Sequence, residues 1–172
     1  MKKITRLKIP ELNAFDFQIK YTETNQKDHW YQIDLHVHHE FELYINLEGD
    51  ISFLVDDALY PVSRGDVIIA RPGEQHHCVY RSSKPHKLYW ILFDCDKNSG
   101  LLDFMQPECH DNFISTQGKL CEELLELCGA MCSKELSKEE QIYAFFRIFA
   151  ILKESKKKNA EVQDVLPQDL AS

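Results

Sequence analysis

The middle of the chain consists of short runs of β-forming residues, with turn residues recurring at intervals of about eight positions. The turns fall at Gly49-Asp50, Asp56-Asp57, Arg64-Gly65-Asp66 and Pro72-Gly73. The runs between them cover residues 41–47, 51–55, 59–62 and 67–70. Short strands at this spacing are typical of all-β sandwiches and barrels. The pattern therefore predicts a mainly β fold for this part of the chain.

Two further runs flank this centre and differ from each other in pattern. Residues 30–35 alternate between apolar and polar positions, which predicts a strand with one buried face. Residues 87–93 are almost continuously apolar. A run of this kind predicts a strand that is buried on both faces.

The hydrophobic period changes from strand-like to helical in the last third of the chain. Apolar residues recur there at intervals of 4, 3 and 4, and then of 3, 4 and 3. They are Leu120, Leu124, Leu127 and Met131, followed by Ile142, Phe145, Phe149 and Leu152. Ser137 and Glu140 have the spacing of a capping box and predict the start of the second helix. Two helices joined by about five residues predict an antiparallel hairpin.

Both ends of the chain lack these patterns. Residues 2–13 are polar and unpatterned, and 159–164 are polar, which predicts an arm and a linker. A helix start just past Pro167 indicates a segment cut from a longer protein, or else a frayed natural terminus. We therefore expect four parts: an arm, a barrel, a helical hairpin and a linker, at residues 1–14, 15–116, 117–158 and 159–172.

Composition and charge narrow the class of protein. The 172 residues are 44% hydrophobic, which suffices for one domain with a real core. The net charge of −8 argues against a DNA-binding surface on this chain, since phosphate contacts need surplus Lys and Arg. The sequence predicts no signal peptide and no membrane span, so the six cysteines indicate a reducing, cytoplasmic environment. Cys121, Cys128 and Cys132 share a helical face and are interpreted as buried hydrophobic residues.

The candidate chemistry lies in four side chains within the predicted strands. His36 and His38 are two positions apart, which places them on one face of a strand. Glu42 opens the next strand and His76 opens another. If the strands close into a barrel, all four point inward, and an apolar interior does not tolerate them without a metal, a polar ligand or ordered water. The sequence therefore predicts a binding site here.

Strand alternation extends this site along the barrel interior. Tyr44 and Asn46 share a face with Glu42, while Cys78 and Tyr80 share one with His76. Such an interior suits a small polar ligand. Trp90 either offers a stacking surface to a sugar or belongs to the core. The remaining histidines, His29, His39, His77, His86 and His110, are expected on the surface or in loops.

Two blocks of this region resemble the cupin motif. The first is His36-x-His38-x3-Glu42-x6-Gly49, with Trp30 where the motif has a leading glycine. The second runs from Gly65 through Gly73-x2-His76 and departs from the motif at Arg71 and Tyr80. The resemblance implies a cupin barrel, a double-stranded β-helix, followed by the helical hairpin. It also implies that the two histidines of the first block, Glu42 and His76 occupy metal-ligand positions.

The order of these motifs over about residues 15–158 is similar to the amino-terminal half of AraC-type transcription regulators. That resemblance implies a non-enzymatic domain that binds a small polar effector, such as a sugar, and forms a homodimer. DNA would be read by a carboxy-terminal half absent from this chain. The hairpin residues expected at the dimer interface are Leu120, Leu124, Leu127, Met131, Phe145, Phe146 and Phe149. For the three phenylalanines, packing against the barrel is the alternative that the sequence leaves open.

Two questions stay open on sequence. The three histidines and Glu42 either hold iron, manganese, nickel, copper or zinc, or line a metal-free polar pocket. The alternative function is a stand-alone metal-dependent cupin enzyme, a dioxygenase or a sugar isomerase, that uses the same four ligands with open positions for substrate.

Overall fold

The computed structural model describes residues 16–24, 35–82, 84–94, 103–106, 111–133 and 135–165. Within these ranges, strands occupy the first two thirds and helices follow. The strands are β1 (Asp16–Thr24), β2 (Phe41–Glu48), β3 (Ile51–Val55), β4 (Ala58–Val62), β5 (Val67–Ala70), β6 (His76–Tyr80), β7 (His86–Asp94) and β8 (Phe113–Ile114). The α-helices are α1 (Gly118–Ser133) and α2 (Lys138–Val165).

The strands form two antiparallel sheets that face each other. The larger sheet has the order β1-β7-β2-β5-β8, and the smaller has the order β4-β3-β6. Side chains from both sheets meet in one apolar cluster between them, which we call the barrel interior. Its buried members are Tyr44, Ile51, Phe53, Val55, Val62, Ile68, Cys78 and Leu88. Two facing sheets followed by a helix pair confirm the predicted fold class, a cupin barrel with a helical hairpin.

Strand β2 is buried on both of its faces. Tyr44 points into the barrel interior, whereas Leu43 and Ile45 point to the opposite side of the sheet. On that side the larger sheet packs against α1 and α2, which form a second apolar core with it. Each fully buried Leu or Ile side chain contributes on the order of 1.5–3 kcal/mol to this packing. The larger sheet therefore lies between two apolar cores, the barrel interior on one face and the core formed with α1 and α2 on the other.

The prediction for residues 87–93 fits the position of β7. This strand lies between β1 and β2 in the larger sheet, and its residues from His86 to Phe93 are buried or half-buried. Residues 30–34 of the other predicted flanking strand lie outside the described residues, as does the predicted arm before residue 15. At the end of that run, His36 forms an isolated antiparallel bridge with His76.

Helix α2 is longer than the sequence predicted. It continues to Val165, so the polar segment 159–164, which the sequence predicts as part of a linker, is helical. Nothing between Lys138 and Val165 breaks a helix, since Pro167 is the next proline. Tertiary contacts also hold the extension: Asn159 Nδ2 donates to the carbonyl of Ser115 at 3.1 Å. A polar composition alone did not reveal those contacts.

The start of α2 agrees with the predicted capping box. The backbone N–H of Ser137 donates to Glu140 Oε2 at 2.7 Å, and the N–H of Glu140 donates to Ser137 Oγ at 3.2 Å.

Arg147 on α2 donates to both carboxylate oxygens of Glu123 on α1, at 2.6 and 2.7 Å. These bonds fix the two helices side by side. None of the described helices has the length and apolar character needed to cross a membrane.

The helix residues expected at a dimer interface contribute mainly to the core within the chain. Leu124, Phe145 and Phe149 are buried there, and Phe145 stacks on Phe17 of β1 with ring centroids 4.3 Å apart. The larger sheet covers these three side chains within the chain, which agrees with the alternative of barrel packing for Phe145 and Phe149. The remaining members pack partly buried at the edge of the same core: Leu120, Leu127, Met131 and Phe146. The helical period identified a buried face but not the surface that buries it.

The cysteines of α1 differ in exposure. Cys121 and Cys128 are buried, as expected of small apolar side chains, but Cys132 is exposed. The difference corrects the prediction for Cys132. It lies near the end of α1, beside a groove of about 790 Å³ whose other lining residues include Tyr21, Tyr89 and Gly129. This groove lies on the helix side of the larger sheet and not in the barrel interior.

Candidate functional site

The structure brings the four predicted side chains to one end of the barrel interior. Glu42 lies at the start of β2 and His76 at the start of β6, while His36 and His38 precede β2. Reciprocal backbone hydrogen bonds between His36 and His76, of 3.3 and 3.1 Å, hold the two segments together. One ligand atom from each of the four side chains lies within 4.8 Å of those of the others. We call these four residues the quartet.

The quartet is organised around one carboxylate oxygen. Glu42 Oε2 lies 2.8 Å from His38 Nε2, 3.1 Å from His76 Nε2 and 4.0 Å from His36 Nε2. Glu42 and His76 are buried. The side chain of His36 is 36% exposed, so the quartet is open on that side. The quartet therefore consists of four converging ligand atoms that can be reached from the His36 side.

Two of the imidazoles have a defined tautomer. Nδ1 of His38 lies 2.9 Å from the carbonyl of Glu40, and Nδ1 of His76 lies 2.9 Å from the carbonyl of Glu74. A carbonyl oxygen only accepts, so both Nδ1 atoms must carry a proton and donate it. In the neutral imidazole the Nε2 lone pair then points toward Glu42, which is also an acceptor. A hydrogen bond between Nε2 and Glu42 therefore needs a further proton, on Nε2 or on the carboxyl group, and without that proton the same atoms suit a cation.

The pKa values of Glu42 and His76 reflect this close packing. Burial acts to raise the pKa of the Glu42 carboxyl, yet hydrogen bonds from His76 and His38 outweigh it and hold the pKa below its usual value. Burial acts to lower the pKa of His76, yet its bonds to Glu42 and to the Glu74 carbonyl raise it. Glu42 is therefore a carboxylate at neutral pH.

The donor set fits a divalent transition metal. Three imidazoles and one carboxylate are suitable ligands for zinc, iron, manganese, nickel or copper. Backbone carbonyls that accept from Nδ1 are also the usual partners of metal-bound histidines, because they fix the ring and leave Nε2 free to coordinate. His38 and His76 both have this arrangement.

The turn before β6 positions His76, and sequence reasoning did not identify its contribution. Arg71 donates from Nη1 to Glu74 Oε1 at 2.9 Å, and Asn112 Nδ2 donates to Glu74 Oε2 at 2.7 Å. Arg71 is itself buried and donates to the carbonyls of Met105 and Asp111. The Arg71-to-Glu74 spacing in the turn was the available signal. These bonds fix the Glu74 carbonyl that orients the His76 ring.

The rest of the barrel interior combines aromatic and polar groups. Tyr44 and Cys78 are buried, and burial raises both pKa values, that of Cys78 to about 12. Tyr80 and Trp90 are half-buried. The ammonium of Lys20 lies 5.9 Å from the centroid of the Trp90 ring. Both aromatic rings therefore lie beside the barrel interior with part of their surface accessible.

His86 corrects one sequence prediction. It was expected on the surface, but at the start of β7 it is 1% exposed, and burial lowers its pKa to about 4. Its ring lies edge-on to Tyr80, with centroids 5.7 Å apart. The neighbouring Lys84 and Lys87 hid this burial, although alternation with Leu88 and Trp90 places His86 on the inward face. His39 is exposed as predicted, His77 is half-buried, and His29 and His110 lie outside the described residues.

Comparison with known families gives one match. A family model described as the AraC-like ligand binding domain matches residues 23–161. No curated protein sequence matches the chain significantly.

Several solved structures of cupin proteins are similar to parts of the chain. A Cupin 2 conserved barrel domain protein from Salinispora arenicola is 25% identical, over 51% of this chain and 71% of that one, with a TM-score of 0.35. A predicted oxalate decarboxylase from Thermotoga maritima is 22% identical over 47% and 68%, with a TM-score of 0.40. An RmlC-like cupin protein from Methanocaldococcus jannaschii is 12% identical over 44% and 68%, with a TM-score of 0.39.

Proposed function

Because the chain belongs to the family of AraC-like ligand-binding domains, we propose that it senses a small polar effector and controls a DNA-binding half of its parent protein. The effector occupies the barrel interior. It acts by population shift: it binds one arrangement of the domain better than another, and the difference in affinity changes how the DNA-binding half is presented. The chain itself performs no catalysis in this proposal.

The observation that carries this proposal is the quartet. Four ionisable side chains converge in a barrel whose other members are mostly apolar, and charged groups are costly there unless a partner satisfies them. The structure maintains this arrangement with backbone bonds to both His38 and His76. Because burying these ionisable groups costs folding free energy, their retention in one cluster supports a binding role.

We further propose that the quartet holds one divalent metal, with His36, His38, Glu42 and His76 as ligands. When bound, the ion acts as a Lewis acid and an anchor for an oxygen of the effector. The residues do the rest: Glu40 and Glu74 fix the two rings through their carbonyls, and the half-exposed His36 leaves the approach open.

The effector subsite extends from the quartet along β2, β6 and β7. Tyr44, Asn46, Cys78 and Tyr80 supply polar edges, and the accessible part of Trp90 supplies a surface on which a sugar ring can stack. Lys20 lies over the same ring, near the edge of the sheet. These groups support a small polar ligand, of which a sugar is one example.

We also propose that the domain forms a homodimer through the outer face of the helix pair. Tyr143 on α2 is 65% exposed and places an aromatic ring on this face. The half-buried apolar residues of the two helices add accessible apolar surface that a partner could cover: Leu120, Leu127, Met131 and Phe146.

The metal proposal is tested by native mass spectrometry and elemental analysis of the purified protein. We expect one transition-metal ion per chain, lost in His38→Ala. The neighbouring His39 is exposed and outside the quartet, so His39→Ala is the matched control and should keep the ion. If no metal is retained after zinc or nickel is added, or if His39→Ala loses it equally, the proposed metal centre is wrong.

The same preparation distinguishes a sensor from an enzyme. A co-purified small molecule is released by denaturation, identified and incubated with fresh protein. A sensor returns it unchanged and gains thermal stability from it. Conversion of the molecule, lost in Glu42→Gln, would instead support a metal-dependent cupin enzyme.

A further inference from the structure

A second group of polar side chains lies in the barrel interior, at the end opposite the quartet. Asn46 is four residues beyond Glu42 on β2, about 13 Å along the strand. Tyr80 is four residues beyond His76 on β6, and the pairing of Ile51 with Tyr80 confirms that β3 and β6 run in register to this end. His86 begins β7 here. The barrel interior therefore has a polar group of side chains at each end, which we call its two poles, with apolar side chains between them. The quartet forms one pole, and Asn46, Tyr80 and His86 form the other.

Asn46 is the informative member of this second pole. It is 3% exposed, and no described residue hydrogen-bonds its side-chain nitrogen or oxygen. Its side chain shares the inward face of β2 with Tyr44. Its backbone, in contrast, is fixed on both sides: Asn46 N donates to the Asp66 carbonyl at 3.0 Å, and Gly65 N donates to the Asn46 carbonyl at 2.7 Å. A buried amide that is held in place and lacks a partner is suited to an external one.

The neighbours of Asn46 restrict the chemistry of that partner. His86 is buried and uncharged at neutral pH, and its ring meets the edge of Tyr80. The buried acid Asp66 lies beside the Asn46 backbone. The nearest cations along the described strands, Arg81 and Lys87, are paired with Asp50 and Glu48. Among the described residues, an anionic group would therefore lose its hydration here without finding a free counter-charge. A neutral group that both donates and accepts would match the amide, which has donors on Nδ2 and an acceptor on Oδ1.

We propose that Asn46, together with Tyr80 and His86, forms a second ligand subsite that takes a carboxamide or hydroxyl group of the effector and rejects carboxylates and phosphates. This inference rests on the proposed function, because it assumes that the effector occupies the barrel interior. It does not depend on a metal in the quartet. The quartet anchors an oxygen at one pole, and Asn46 selects a neutral hydrogen-bonding group at the other.

The test uses two fragments of nearly equal shape, acetamide and acetate. Protein labelled with ¹⁵N-asparagine is titrated with each while the side-chain amide signals are followed by NMR. The Asn46 signal is assigned from its absence in Asn46→Leu, or in Asn46→Ser if the first variant does not fold. We expect a saturable shift of this signal with acetamide and at least a tenfold weaker response to acetate. Asn112, whose Nδ2 already donates to the Ile69 carbonyl, is the internal control.

Two results would overturn the inference. One is an Asn46 signal that responds to neither fragment or to both equally. The other is a lower melting temperature in Asn46→Leu than in the wild type, because an unpartnered buried amide should cost stability and its apolar replacement should raise that temperature. Repeating the acetamide titration in His38→Ala separates the two poles. A retained shift in a variant that no longer binds metal supports an independent Asn46 subsite, and a lost shift contradicts it.

Discussion

At the scale of single residues, the backbone decides which nitrogen each histidine of the quartet presents. The carbonyls of Glu40 and Glu74 take the Nδ1 protons of His38 and His76, so only the Nε2 atoms face Glu42. The spacing of the histidines predicted that these side chains converge. The tautomers depend on carbonyl positions two residues away, which become visible only in the folded backbone. The sequence therefore predicted the membership of the site but not its protonation.

The metal-free quartet should stabilise the fold most strongly in mildly acidic solution. The lowered pKa of Glu42 contributes stability that is present above its unfolded pKa and is lost as the pH falls through the folded value. The raised pKa of His76 contributes stability that is present below its unfolded pKa and is lost as the pH rises through the folded value. Both contributions coincide between roughly pH 4.5 and 6.5.

Glu42→Gln should therefore lower the free energy of unfolding by about 1–3 kcal/mol at pH 5.5 and by less at pH 8.5. Urea denaturation in the presence of a chelator measures the difference at each pH. Glu126→Gln is the control, since this carboxylate is exposed on α1 and outside the quartet. An equal loss at both values would show that the histidine pairing does not contribute.

His86 adds a separate pH dependence. Its pKa is lowered to about 4 by burial, so its neutral form favours the folded state above the unfolded pKa near 6.5. As the pH falls from there to about 4, up to about 3 kcal/mol of stability should be lost. His86→Phe should flatten this part of the curve, and the exposed His39→Gln should leave it unchanged. A curve unaltered by His86→Phe would contradict a buried neutral imidazole.

At the scale of elements, the sequence predicted the bounds of the central strands closely but did not predict what the helices pack against. Strands β2 to β5 lie within one residue of the predicted runs, because turns and alternation are local properties. The end of α2 and the role of Phe149 depend on what packs against them. The carbonyl of Ser115 holds the helix extension, and the larger sheet buries Phe149. Such long-range contacts leave no periodic signal in a single sequence.

Gly65 controls how α1 approaches the sheets. Its φ is +82°, and an added Cβ would lie 2.4 Å from Cys121 Sγ and 2.9 Å from Thr116 Oγ1. Gly65→Ala should therefore destabilise the fold by about 2–4 kcal/mol, from backbone strain together with displacement of α1. Gly73 has a similar φ of +88° with open space around it, so Gly73→Ala should cost only the strain, about 1 kcal/mol. Thermal unfolding of both variants measures the difference, and equal losses would exclude the helix contact.

At the scale of the whole molecule, two apolar surfaces of the helix pair are distinguished by what covers them. Phe149 is covered by the larger sheet, so Phe149→Asp should unfold the domain, with a loss of at least about 3 kcal/mol. Tyr143 lies on the outer face, so Tyr143→Asp should remain folded but dissociate the proposed dimer. Sedimentation equilibrium and circular dichroism measure the two effects. A wild type that is monomeric at tens of micromolar would contradict the proposed dimer.

Strand β2 contributes side chains to the apolar core on each face of the larger sheet. The side chains of Tyr44 and Asn46 face the barrel interior, whereas those of Leu43 and Ile45, on the other face of the same four-residue stretch, belong to the core shared with the helices. Packed interiors are nearly incompressible. If an effector displaces this stretch, we therefore expect Leu43 and Ile45 to move with it. The displacement would then reach the core that these residues share with α1 and α2.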